Sequence, residues 1–119
     1  MSTFSDRIRP HVDAELDAAH DAEHRGEFTT AFGKLERAHV LGQSSTREHV
    51  RVHWHMLRFA LRNSLRAEAL GQAWRLAAAA VFTPLGVVPT GNTGGADVSG
   101  LRRMRMPQDL RTTIDAART

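Results

Sequence analysis

Two pairs of side chains with metal-binding chemistry occur in the first half of the sequence. Glu36 and His39 are three residues apart, and His49 and His53 are four residues apart. Either spacing places the two side chains of a pair on one face of a helix, one turn from each other. Imidazole and carboxylate groups are common ligands of transition metals, so each pair could supply two ligands to one ion.

The two pairs face each other if their helices form an antiparallel hairpin. With the turn centred near Ser44, His39 and His49 lie five residues on either side of it, and Glu36 and His53 lie eight and nine residues away. These similar separations predict three imidazoles and one carboxylate at matching heights. The same counting across the neighbouring turns adds two further polar residues to this layer, Glu15 and Gln72.

This polar layer predicts the principal function. Buried polar groups without partners cost about 1–3 kcal/mol each, so the layer should contain an ion or a complete hydrogen-bond network. We expect a small protein that binds one transition metal ion, namely Zn, Fe, Mn, Ni or Cu, for metal handling or a metal-dependent reaction. The predicted ligands are Glu36, His39, His49 and His53, with Glu15 and Gln72 supporting or completing the coordination.

Two other functions are compatible with the same residues. One is a helical protein–protein interaction module without a metal, whose histidines are packed core residues. The other is a small metal-dependent oxidase or hydrolase, because an open coordination position would permit a metal-bound water. Only Glu36 and His39 form a Glu-x-x-His motif, whereas di-iron bundles normally have two, so a di-iron oxidase is disfavoured. The sequence assigns no catalytic residue.

The spacing of apolar residues predicts an all-α fold, either an antiparallel four-helix bundle or tetratricopeptide-like helical hairpins. Before residue 85, apolar residues recur at intervals of three and four, and Gly and Pro are scarce. We expect a single domain over residues 1–119. Its parts are a bundle over 5–84 with helices at about 5–24, 28–41, 46–62 and 65–82, a Gly/Pro-rich loop over 85–106, and a short helix over 107–117.

Local signals refine these helices. Gly26 and Gly42 are expected to end the first and second helices. Ser45 with Glu48 three residues later has the spacing of a capping box at the start of the third helix. On the faces that we expect to be buried lie Phe28 in the second helix, and Val50, Trp54, Leu57 and Leu61 in the third.

Composition excludes several classes of site and partner. The 119 residues contain no cysteine, which rules out thiolate zinc sites, iron–sulfur clusters and disulfides. The first residues lack the apolar core of a secretory signal, and the longest apolar run is shorter than the ~20 residues of a membrane span, so we expect a cytoplasmic protein. A net charge of +3 with dispersed arginines does not favour nucleic acid as a partner. Exposed apolar residues on so short a bundle are compatible with a homodimer.

The glycine-rich loop contains a motif that mimics a phosphate-binding loop. In GVVPTGNT, from Gly86 to Thr93, Asn92 stands where a lysine is needed, and the motif follows a helix instead of a strand. Nucleotide binding is therefore rejected. The GNTGG run from Gly91 to Gly95 is expected to let the backbone lie close against the bundle, with Asn92 bonding to main-chain groups, and its functional interpretation is a lid over the polar layer.

Two resemblances accompany these patterns. GEFTTAFGKLERAHVL resembles the turn and second helix of a tetratricopeptide repeat, although no second copy follows. Across about residues 11–110, the chain resembles the bacterial family called domain of unknown function 3703. The motifs that carry this resemblance are LERAHVLGQ, HVRVHWHML, EALGQAWRL, GNTGG and MRMPQDL, with Arg105 in place of a proline that family members usually have. The resemblance implies a small, mostly helical protein and no established reaction.

Overall fold

The computed structural model describes residues 1–86, 92–95 and 104–119, and these residues form five α-helices and no strand. The all-α prediction is confirmed, and every helix boundary lies within two residues of its predicted position. The rest of the predicted loop, residues 87–91 and 96–103, lies outside the described residues. The helices are α1 (Phe4–His24), α2 (Phe28–Gly42), α3 (Thr46–Arg62), α4 (Arg66–Phe82) and α5 (Gln108–Arg118), with a 3₁₀ turn at Thr83–Leu85.

The first four helices pack as two hairpins. α1 lies along α2, α3 lies along α4, and contacts between α2 and α3 join the two hairpins. Gly26 has a φ of 75° in the turn after α1, a conformation that glycine adopts without steric cost. The turn after α3 uses Ser64 at a φ of 57°, so the break predicted near Asn63 is present without a glycine.

The core consists mainly of small and aliphatic side chains from α1, α2 and α3. α1 begins with a complete capping box between Thr3 and Asp6, and its buried residues recur every three or four positions. This stripe packs on the matching stripe of α2, where Ala31 and Ala38 allow a close approach. The buried core residues of the two helices are Ile8, Val12, Leu16, Ala19, Ala22, Ala31, Leu35, Ala38, Val40 and Leu41.

The start of α3 differs in part from the predicted capping box. The Ser45 hydroxyl accepts a hydrogen bond from the backbone N–H of Glu48 at 3.3 Å, so the N-cap forms as predicted. The Glu48 side chain, however, is fully buried, and its oxygens have no hydrogen-bond partner among the described residues. The carboxylate forms an ion pair with Arg51 Nε at 3.0 Å instead of capping the helix.

Three of the predicted core positions are exposed, and two more are only half-buried. Phe28, Trp54 and Leu61 are 51%, 48% and 64% exposed, and Val50 and Leu57 are only half-buried. α3 is rotated so that a different stripe faces α2 and α4. Both stripes have helical spacing and apolar residues, so periodicity alone did not distinguish them. The buried stripe of α3 comprises Glu48, His49, Val52, His53, Met56, Phe59 and Ala60.

The final helix is attached to the first hairpin. α5 packs on α1 and α2 through Leu110 and Ile114, which are buried. Arg37 of α2 forms ion pairs with Glu15 of α1 and Asp109 of α5, and so links the three helices. Within the described residues, the helices are too short or too polar for any of them to cross a lipid bilayer.

Candidate metal centre

Three imidazole rings converge at the junction of the two hairpins. The Nε2 atom of His39 lies 3.0 Å from Nε2 of His49 and 3.2 Å from Nε2 of His53, and the last two atoms are 3.2 Å apart. The three nitrogens thus form a nearly equilateral triangle. All three residues are buried, and we call them the histidine triad.

The turn between α2 and α3 brings the triad together. His39 lies in the last turn of α2, and His49 and His53 lie one turn apart on the buried face of α3. The two helices approach closely at Gly42, where a Cβ atom would lie only 3.0 Å from the Cβ of Glu48. A glycine at the end of α2 therefore allows the start of α3 to fold back against it.

Each ring of the triad is held by a hydrogen bond at its other nitrogen. The Nδ1–H of His39 donates to the backbone carbonyl of Asn92 at 2.7 Å. The Nδ1–H of His53 donates to Oε1 of Gln72 at 2.6 Å. The Nδ1 of His49 lies 2.7 Å from the hydroxyl oxygen of Thr83, which can accept a hydrogen bond from an Nδ1–H group.

The orientation of the Gln72 amide follows from its other contacts. Its Nε2 donates to Oε2 of Glu68 and to the backbone carbonyl of Gly94, both at 2.7 Å. Since the NH₂ group faces two acceptors, the oxygen of the amide must be the atom that faces His53. Gln72 is fully buried and acts as a fixed acceptor for the His53 ring.

These hydrogen bonds determine where the lone pairs of the triad point. A carbonyl oxygen cannot donate, so His39 and His53 carry their protons on Nδ1 and their lone pairs on Nε2. Two lone pairs then face each other across 3.2 Å. A proton on Nε2 of His49 could form a hydrogen bond with Nε2 of His39 or of His53. It would not relieve the repulsion between the lone pairs of His39 and His53. The Nε2 lone pairs of His39 and His53 therefore face each other, and Nε2 of His49 completes the triangle.

The surroundings also keep the rings uncharged. The pKa of His39 is held well below its usual value. The main cause is burial away from water, and the neighbouring His53 and His49 lower the pKa further. Burial and the neighbouring His53 lower the pKa of His49 to about 3. Burial lowers the pKa of His53 to about 4, although the hydrogen bond with Gln72 opposes this shift. At neutral pH the triad consists of neutral imidazoles, which is the form that binds metals.

The size of the triangle matches a first-row transition metal. An ion about 2.0–2.1 Å from each imidazole nitrogen holds the nitrogens about 3.3 Å apart in tetrahedral geometry, and about 2.9 Å apart at right angles. The separations of 3.0–3.2 Å lie between these limits. His39, His49 and His53 could therefore hold such an ion through their Nε2 atoms.

The six predicted site residues fall into two groups. His39, His49 and His53 come together, and Gln72 contacts His53. Among the described residues, neither predicted carboxylate belongs to the cluster of ligand atoms. Glu36 lines a surface groove with Phe28 and Phe32, and Glu15 accepts a hydrogen bond from Arg37. Coordination by Glu36 or Glu15 stays a prediction.

Thr83 and Gly94 are neighbours of the triad that were not predicted from the sequence. A signal for Thr83 was present: Gln72, Ala79 and Thr83 are seven and then four residues apart, so they share the buried face of α4 and its continuation. The contact of Gly94 depends on how the loop returns to the bundle, which helical periodicity does not encode.

The fold and the site together define a small all-α protein with a buried histidine triad. The chain belongs to the family described as Protein of unknown function (DUF3703), whose model matches residues 6–114. This match confirms the resemblance seen in the sequence motifs. Neither the curated proteins nor the solved structures contain a match to the chain. The description of the family assigns no activity.

Proposed function

We propose that this protein binds one divalent transition metal ion through the Nε2 atoms of His39, His49 and His53, for metal handling or a metal-dependent reaction. The observation that carries the proposal is the convergence of three Nε2 atoms within 3.0–3.2 Å while each Nδ1 has its own hydrogen-bond partner. Nitrogen ligands of this kind suit Zn, Fe, Ni and Cu(II).

A hydrogen-bond network without an ion accounts less well for the same contacts. With the Nδ1 protons of His39 and His53 committed to carbonyl-type oxygens, the Nε2 atoms of these two rings have no proton to share. Adding a proton would create a buried cation, which the low pKa values of the triad oppose. A metal cation satisfies all three lone pairs at once.

The number of ligands favours an ion with a replaceable ligand. Structural zinc sites normally have four protein ligands, whereas catalytic sites have three and a water or substrate. The described residues supply three ligands from the triad. Such an ion would lower the pKa of a bound water, so hydrolysis is the reaction type that this arrangement best supports.

The proposal is tested by metal analysis of protein purified without an affinity tag. We expect about one equivalent of metal in the wild type, and loss of this metal in a variant with both His49→Ala and His53→Ala, because two of three ligands are removed. If the double variant does not fold, the single variant His49→Gln replaces it, because glutamine is closer in size to histidine than alanine is. We expect this variant to lose the metal as well. Circular dichroism verifies that each variant is helical.

A matched control is available on α1. His20 and His24 are also four residues apart on one helix, and their Nε2 atoms are 3.1 Å apart, but both side chains are exposed. The variant with His20→Ala and His24→Ala should keep its metal. Equal metal content in the wild type and in the His49/His53 variant would refute the proposal, as would loss of metal in the α1 variant alone.

A second candidate function is a helical protein–protein interaction module without a metal. The supporting observation is that several large apolar residues of α3 and α4 are exposed, among them Leu70 at 75% and Trp74 at 71%. Large exposed apolar patches are typical of binding surfaces. This function requires no metal, so the metal analysis separates it from the first proposal.

A further inference from the structure

The segment Asn92–Gly95, which we call the lid, lies directly on the histidine triad. Asn92, Gly94 and Gly95 are buried. The lid is attached at two points, because the Asn92 carbonyl accepts the Nδ1–H of His39 and the Gly94 carbonyl accepts a hydrogen bond from Gln72. A third bond, from the Gly94 N–H to Oδ1 of Asn92 at 2.8 Å, fixes the turn of the lid itself.

Gly94 lies against the ring of His39. A Cβ atom at this position would lie 2.5 Å from Cδ2 of His39 and 2.9 Å from its Nε2. No side chain can be accommodated at such distances without a shift of the ring or of the lid. The backbone of Gly94, at a φ of 83°, therefore lies close against the ring of His39.

The hydrogen bonds that hold the lid also fix the orientation of the triad rings. The Asn92 carbonyl sets the proton of His39 on Nδ1, and Gln72 does so for His53 while it also holds the lid through Gly94. Without an ion, repulsion between the Nε2 lone pairs favours rotation of the rings. Rotation of His39 would break its bond with Asn92 and displace Gly94. An ion and a closed lid therefore favour the same ring orientations.

We propose that Asn92–Gly95 is a metal-coupled lid: ion binding at the triad closes it, and the ion is released only after it opens. Asn92 and Gln72 are positioning residues for the ligands, and Gly94 is the position at which the lid lies against the His39 ring. This inference rests on the proposed metal site, and it adds a barrier that controls entry and release of the ion.

Hydrogen exchange of the wild-type protein tests the coupling. Zn²⁺-loaded and metal-free samples are compared by mass spectrometry on peptides that contain the lid and on peptides from α1. We expect exchange at the Gly94 amide to become about tenfold faster or more when zinc is removed, since the ordering of the lid is linked to the ion, with a smaller change in α1. Equal exchange at Gly94 in the two samples would overturn the proposal.

The release rate of zinc into an excess of chelator tests the barrier. Gly94→Ala should release zinc about tenfold faster than the wild type, because the added methyl group prevents closure over His39. Gly26→Ala is the matched control: Gly26 also has a positive φ, 75°, but no atom of the described residues lies within 4 Å of the added Cβ. It carries the same backbone strain and should release zinc at the wild-type rate.

The outcomes separate this inference from the proposed function. If the wild type binds no zinc through the triad, both proposals are refuted. If it binds zinc and the exchange and release rates are insensitive to metal removal and to Gly94→Ala, only the lid is refuted. If Gly26→Ala accelerates release as much as Gly94→Ala, backbone strain explains the effect and the lid is likewise refuted.

Discussion

The stability of the metal-free protein should fall steeply when the pH is lowered from 7 to 5. The relevant imidazoles are His49 and His53, whose pKa values burial lowers from 6.5 to about 3 and about 4. In the unfolded chain these rings bind protons below about pH 6.5, whereas in the folded protein they stay neutral at pH 5. Protonation therefore stabilises the unfolded state as the pH falls.

The magnitude follows from the two pKa values. Each folded-state pKa lies below 5, so at pH 5 the loss depends on how far this pH lies below the unfolded value of 6.5, which is about 1.5 units. Because one pKa unit corresponds to about 1.4 kcal/mol, each imidazole contributes a loss of about 2 kcal/mol. His49 and His53 together should cost about 4 kcal/mol. His39 shifts in the same direction and adds to the loss. A loss of this size is a large fraction of the stability of a small domain.

Urea denaturation of chelator-treated protein at pH 7 and pH 5 measures this effect. The matched variant is His49→Gln, which lacks one titrating ring, so the loss between the two pH values should be about 2 kcal/mol smaller than in the wild type. Circular dichroism at pH 7 establishes that the variant is folded. If the wild type and His49→Gln lose equal stability, or if the wild type loses none, the neutral buried state of the triad is refuted.

Two further predictions concern stability and are tested by denaturation of the metal-free protein at pH 7. Gln72→Leu should destabilise by about 1–3 kcal/mol, because the His53 N–H loses its buried hydrogen-bond partner. Gln43→Leu should cost much less, because Gln43 is also buried but its Oε1 has no hydrogen-bond partner among the described residues, and equal losses would contradict this account. Ser45→Ala should destabilise by about 1 kcal/mol through loss of the α3 N-cap, and an unchanged midpoint would argue against that cap.

The helices and their ends were predictable because the signals for them are local. Caps such as Thr3 and Ser45, and breaks such as Gly26, depend on neighbouring residues in the chain. The rotation of each helix about its axis was less predictable. The face of α3 that contains Trp54 is as apolar as the buried face, and the choice between them depends on packing against α2 and α4.

The same distinction explains the site. Counting residues from the turn near Ser44 determines height along the helix axes, and it correctly placed His39, His49 and His53 at one level. Counting does not determine the direction of each side chain. Glu36 lies three residues before His39, and three residues of an α-helix fall about 60° short of a full turn. The two side chains therefore leave α2 in different directions, and Glu36 lines the surface groove together with Phe32.

The attachment of α5 has a consequence for the kinetics of the lid. The chain that carries Asn92–Gly95 is held by α4 before it and by α5 after it, and α5 is fixed to the first hairpin through Leu110 and Arg37. An opened lid is therefore a segment with two anchored ends, which explores a far smaller volume than a free tail does. Its return to the triad should be fast and independent of protein concentration. Removal of α5 would convert this intramolecular closure into the search of a dangling chain, so the lid would return more slowly although His39, His49 and His53 are all still present.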